Sequence, residues 1–141
     1  MTAPDLILHA GCVALDGRGL LILGPSGSGK SSLALSLMAL GADLVSDDRT
    51  ILTLRGGELY AQCPPALRGM IEARGLGILN ARPLDGAKVV LAVDMGVTET
   101  ERLPPHRYVT YLGRTVALVH AQQTAHFPAA LLAYLKGGRH S

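Results

Sequence analysis

Tryptophan is absent from this chain, Phe127 is its only phenylalanine, and Lys30, Lys88 and Lys136 are the only lysines among 13 lysine and arginine side chains. With a formal charge of +2 over 141 residues and 17% charged residues, the chain carries neither a basic field nor the aromatic platforms that track nucleic acid, so no nucleic-acid partner is expected. Cys12 and Cys63 do not form a Cys-x-x-Cys pair, which argues for reduced thiols rather than a disulfide framework or a thiolate metal site. The start, Met1-Thr2-Ala3-Pro4-Asp5, lacks a basic leader backed by an apolar segment. Apolar runs such as Leu20 to Leu23 and Val89 to Val93 fall far short of the roughly 20 residues that cross a bilayer. These absences point to a cytoplasmic location without a membrane span. The length suits one domain over residues 1–141, large enough for a real core but leaving no room for a second substrate domain.

Against that lysine-poor background, Lys30 stands in Gly24-Pro25-Ser26-Gly27-Ser28-Gly29-Lys30-Ser31, which matches the P-loop pattern of a Gly, four free positions and Gly-Lys-Ser. The run follows the apolar Leu20-Leu21-Ile22-Leu23 and precedes Ser32 to Leu40, where apolar residues recur at helical spacing and Gly41 supplies a stop. Strand, glycine-rich turn and helix start aim successive N–H groups at one point, so Gly24 through Ser32 are expected to cradle nucleotide phosphates. Lys30 would reach the β- and γ-phosphates and Ser31 would ligate Mg²⁺.

Most of the remaining chain reads as short strands: 6–10, 12–15, 43–46, a hairpin of 50–54 and 58–62 turning at Arg55-Gly56-Gly57, then 88–94, 107–111 and 115–119, with a closing helix over 127–136. P-loop proteins that alternate strand and helix throughout look different. The sheet here should be mixed or largely antiparallel around the loop.

Asp47-Asp48 follow the strand after the P-loop helix, an order that brings carboxylates to the same sheet edge as Lys30. Two adjacent acids at one metal suggest separate roles, Asp48 on Mg²⁺ and Asp47 accepting a proton from an attacking hydroxyl, with Ser-Asp-Asp turn chemistry as the alternative. His9 ends another apolar strand and could modulate them. In Ile71-Glu72-Ala73-Arg74-Gly75-Leu76-Gly77-Ile78-Leu79, Glu72 and Arg74 would share one face of an extended segment beside a flexible turn. Metal and phosphate contacts, or a surface hairpin with an incidental ion pair, both fit that spacing.

Taken together, His9 to Leu15, the P-loop, Val45-Ser46-Asp47-Asp48-Arg49, Cys63-Pro64-Pro65 and Ile71 to Ile78 resemble the C-terminal catalytic domain of bacterial HPr kinase/phosphorylase, from His9 to about Ala121. The resemblance implies an α/β P-loop domain of the phosphoenolpyruvate carboxykinase-like type, with a mixed, strand-rich sheet and few helices. It implies an ATP- and Mg²⁺-dependent serine kinase acting on the phosphocarrier HPr or an HPr-like regulator, with phosphorolysis by inorganic phosphate as the reverse reaction. By that likeness Asp47, tuned by His9, would be the proton acceptor, Lys30 and Arg74 would serve catalysis, and Ser31, Asp48 and Glu72 would hold the metal. Arg102 and Arg114 match later arginines of the family only weakly. The chain departs from the pattern in lacking the usual N-terminal domain, in a stretch cut down to Ala81-Arg82-Pro83-Leu84-Asp85-Gly86 after the signature, and in a short C-terminal helix. A homo-oligomer is compatible with it.

Other readings are a nucleotide sensor that signals to a partner sensor kinase without phosphoryl transfer, and a kinase of a small hydroxylated molecule. Binding alone needs no proton acceptor, which argues against the sensor. The missing second domain argues against the small substrate, and against a carboxykinase.

Overall fold

A computed structural model describes residues 5–141. The chain order is β1 (Leu6–Leu8), β2 (Gly11–Leu15), β3 (Arg18–Leu23), α1 (Lys30–Ala39), β4 (Asp43–Ser46), β5 (Thr50–Arg55), β6 (Glu58–Gln62), β7 (Met70–Ala73), β8 (Gly77–Asn80), β9 (Ala87–Thr98), β10 (Arg107–Tyr111), β11 (Arg114–Ala121) and α2 (Phe127–Gly137). This is the strand-rich α/β pattern the sequence implies. Nine strands form one mixed sheet, in which β9 runs parallel to β3 and β11 while the other pairings are antiparallel.

Strand β3 lies centrally, between β2 and β9, and its residues Gly19 to Ile22 are buried. Both faces must therefore be covered by apolar material, which explains a continuous Leu-Leu-Ile-Leu run instead of alternation. On one face Val13, Leu20, Ile22, Leu91 and Val93 pack with Leu33 and Leu37 of α1 and Phe127, Leu131 and Leu135 of α2. On the other, Cys12, Leu21, Val45, Leu52, Leu59, Val89 and Ala92 form a second core. A register shift in the β3–β9 ladder, where Gly19 pairs Val89 but Leu20 pairs Leu91, sends Val89 and Leu91 to opposite cores.

Helix α1 ends in a Schellman arrangement: Gly41 N–H bonds Met38 O at 3.0 Å and Ala42 N–H bonds Leu37 O at 3.0 Å, with Gly41 at φ 111°. The predicted stop is where the sequence puts it. The turn returns the chain as β4, which pairs antiparallel with β2, itself antiparallel to β3. Hence β4 runs in the direction of β3 and ends at the same sheet edge, one strand removed from the P-loop strand. The β4 edge is covered by residues of the shortened stretch, through a Leu44–Pro83 bridge and a Leu84 N–H to Leu44 O bond of 2.9 Å. Strands β7 and β8 form a separate two-stranded sheet whose Ile71 and Ala73 are buried and whose β7 packs on α1.

Candidate functional site

The P-loop joins the end of β3 to α1, and α1 begins on Gly29 at φ 97°, with no side-chain cap and no acid in its first turn. The orphan N–H groups of that first turn therefore face an opening that suits an anion. A pocket of about 350 Å³ lies there, lined by Ser26, Gly27, Gly29, Lys30, Ser31, Ser32, Leu35, Asp47, Asp48, Glu72 and Arg74. The structure thus gathers all three motifs around one cavity. Gly24, Pro25 and Ser28 stand behind this lining, where the Gly24 and Pro25 carbonyls accept bonds from Lys30 Nζ at 2.7 and 3.1 Å. Among the described residues Lys30 makes no ion pair with either aspartate, so its ammonium is held by the loop itself. Ser28 Oγ is buried without a hydrogen-bond partner, a polar atom left available at the loop.

The two aspartates have different partners, and Asp48 sits at φ 71°, with Arg49 N–H bonding Asp47 O at 2.8 Å across it. Such a γ-turn is strained, and non-glycine residues in this region concentrate at functional sites. Asp47 Oδ1 accepts Ser31 Oγ–H at 2.9 Å and its Oδ2 accepts Glu72 N–H at 3.0 Å, tying α1 to β7. Asp48 Oδ1 instead meets His9 Nε2, with both side chains more than half exposed. The pairings therefore differ from those expected from sequence: Asp47 is the partner of Ser31, and Asp48 is the partner of His9.

On β7–β8, Glu72 pairs directly with Ile78, while Arg74 falls in the Arg74-Gly75-Leu76 loop rather than on the extended strand. Both still line the pocket. Arg102 and Arg114 do not line it; Arg114 lies against the β5–β6 turn, 3.1 Å from where a Cβ on Gly57 would stand.

Among the described residues no cluster of three or more His, Cys, Asp or Glu side chains is arranged to hold a metal. That donor set does not suit a metal caged by protein alone. It fits Mg²⁺, which keeps waters and is held by one or two protein oxygens together with phosphates, here the Ser31 hydroxyl and its neighbouring carboxylate. Burial pushes the Cys12 thiol up to about 12, so it is a core residue and no nucleophile.

Sequence reasoning overlooked the end of β9, where Asp94 Oδ1 accepts Gly96 N–H at 2.8 Å directly beneath the P-loop. Farther on, the nearly buried Glu99 accepts Arg107 Nε–H at 3.3 Å and Nη2–H at 3.2 Å, and this partner holds its carboxyl below the usual range. Burial, and then the Asp94 charge, raise the Tyr111 phenol. An Asp-Met-Gly sequence closing an apolar strand was the available signal.

The family described as HPr Serine kinase C-terminal domain matches residues 1–97. A HPr kinase/phosphorylase of Nitrosomonas europaea is 46% identical over 91 residues, 64% of this chain and 28% of the relative. One from Cupriavidus necator is 34% identical over 137 residues, 89% of this chain and 42% of the relative. The chain thus spans less than half the length of these curated relatives. The structure of the Hpr(Ser) kinase/phosphatase from Coxiella burnetii superposes with a TM-score of 0.79 at 25% identity, covering 93% of this chain and 88% of that one. No helix among the described residues is long and apolar enough to cross a membrane. With its family match spanning more than half its length, the chain belongs to the HPr serine kinase C-terminal domain family.

Proposed function

We propose that the chain is an ATP- and Mg²⁺-dependent kinase that phosphorylates a serine of HPr or an HPr-like regulator. The observation that carries this reading is the split aspartate pair inside the P-loop pocket, Asp47 on Ser31 and Asp48 on His9. A nucleotide-binding module needs the first pair alone; a kinase needs both, one for the metal side and one for the acceptor side.

In this reading the α1 N-terminal amides and Lys30 would hold the β- and γ-phosphates, and Ser31 and Asp47 would hold Mg²⁺, with Glu72 beside them; the metal would supply charge neutralisation at the transferring group. Asp48, oriented by His9, accepts the serine proton as the serine oxygen bonds the γ-phosphorus and the bond to the ADP oxygen breaks. Arg74 gives the phosphoryl oxygens a guanidinium from the opposite wall.

The test is incubation of the protein with γ-labelled ATP, Mg²⁺ and the HPr-type protein from the same source. Label on a serine of that protein is expected. Tight ATP binding with no transfer would favour the sensor reading, and label confined to small hydroxylated molecules would favour the other rival.

A further inference from the structure

The β9–β11 ladder pairs His120 with Asp94 and then Ala121 with Thr98, so Met95, Gly96 and Val97 bulge out of the sheet. Bulges beside sites commonly re-aim a strand. This one is aimed at the P-loop: a Cβ on Gly24 would stand 3.3 Å from Met95 Cβ and 3.2 Å from Gly96 N, and one on Gly29 would stand 3.8 Å from Met95 Cε. A Cβ on Gly96 would meet Pro25 Cδ at 2.9 Å and Asp94 Oδ1 at 3.2 Å. Pro25 Cδ is part of a ring closed on the backbone nitrogen, so it cannot rotate away as a side-chain tip would. Pro25 is also the residue whose carbonyl accepts Lys30 Nζ and, at 3.1 Å, Ser28 N–H. Pressure on Pro25 is therefore pressure on the phosphate-binding geometry.

We infer that the β9 bulge is a P-loop clamp, in which Gly96 and Met95 are positioning residues that set phosphate affinity by fixing Pro25 and Gly24 from beneath. Gly96 supplies close approach without a Cβ, and Asp94 locks the bulge by accepting its N–H. Met95 fills the space under Gly24 and Gly29. The inference rests on the nucleotide-binding reading of the pocket, and goes beyond it in assigning residues that do not line the cavity.

Binding of ATP and, separately, of inorganic triphosphate to wild type, Gly96→Ala and Met95→Ala distinguishes the two levels. Wild type that binds neither ligand overturns the nucleotide reading itself. If wild type binds, Gly96→Ala should weaken both ligands alike, by on the order of tenfold, since the displaced element holds phosphate and not base. Met95→Ala, which leaves the bulge backbone free of a new clash, should weaken both by a smaller factor; because Met95 also packs against the core its melting temperature will fall, so affinity is read at a temperature where circular dichroism shows the unliganded variant folded, and it carries the test if Gly96→Ala does not fold. Unchanged triphosphate affinity in the folded variants would overturn the clamp, as would a loss confined to ATP.

Discussion

In the P-loop, a Cβ on Gly24 would lie 2.6 Å from Ser28 Oγ, whereas across the same pocket Gly75 and Gly77, at φ 90° and 120°, have nothing within 4 Å of theirs. The first glycine is required by crowding as well as by backbone angle; the other two are required by angle alone. The walls they belong to differ in the same sense. The P-loop leaves a strand buried on both faces and is pressed from below by β9. The β7–β8 hairpin is two strands wide, holds on through Ile71, Ala73 and the Glu72–Asp47 bond, and leaves Leu76 and Ile78 79% and 65% exposed. Isolated two-stranded hairpins are marginal, so its attachment to α1 and Asp47 decides its position. One wall of the pocket belongs to the large sheet, and the other is a two-stranded hairpin anchored by Ile71, Ala73 and the Glu72–Asp47 bond; under the proposed function the first would hold phosphates more rigidly than the second.

The sharpest way to break this comparison is to put the same methyl group on each side. Gly24→Ala should reduce ATP and triphosphate affinity by about two orders of magnitude, because clash and backbone strain fall together on the loop. Gly75→Ala should cost only about 1 kcal/mol of stability from its left-handed angle, with ATP affinity nearly unchanged. Calorimetric titration and urea unfolding measure both, and equal affinity losses would mean that the hairpin is as rigid a part of the phosphate site as the loop.

Next in size are the substitutions at the seam between the walls. Asp47→Asn should weaken Mg²⁺-ATP binding by about tenfold and speed hydrogen exchange at Ile71 and Ala73, since one carboxylate serves both Ser31 and the Glu72 N–H. Asp48→Asn should keep nucleotide affinity and lower phosphoryl transfer by about two orders of magnitude. The opposite pattern, with transfer lost at Asp47 and binding lost at Asp48, would restore the division of roles that the order of residues suggests.

That contrast also marks how far the chain could be read before its structure. The strand-loop-helix of the P-loop, the stop at Gly41, the hairpin turning at Arg55-Gly56-Gly57, whose first strand proves to include Arg55, and the return of Asp47-Asp48 to the loop's edge were legible, because they follow from apolar periodicity and glycine-rich turns. What β4 pairs with was not legible, since its partner β2 lies more than 25 residues away and nothing in Asp43-Leu44-Val45-Ser46 distinguishes β2 from β3. The γ-turn at Asp48 hid likewise, because aspartate is tolerant of several turn types. The apolar run of β9 was visible from Lys88 to Asp94, but the strand continues to Thr98 through a bulge whose position follows from β11 and the P-loop, not from its own residues.

A directional effect, with unequal losses in the two reactions, lies on the hairpin wall, at Arg74. It sits in the β7–β8 loop, lines the pocket, and makes no ion pair among the described residues. Its guanidinium is therefore available to an incoming phosphate, which it can grip with two parallel N–H donors where a lysine offers a point charge. In the proposed kinase reaction the γ-phosphate would arrive tethered to ADP and already seated on the fixed wall. In the reverse reaction, if the chain performs it, inorganic phosphate would come free and would have to be oriented by whatever side chains surround it. Arg74→Lys should accordingly slow removal of phosphate from phosphoserine by about tenfold, mostly through a raised KM for inorganic phosphate, while slowing the kinase direction only about two- to threefold. The measurement is the rate of phosphoserine removal against phosphate concentration, set beside the forward rate against ATP, for wild type and variant. Equal losses in both directions would mean that Arg74 shapes the hairpin loop rather than holding phosphate, and the second wall would then contribute only its Glu72 edge to the chemistry.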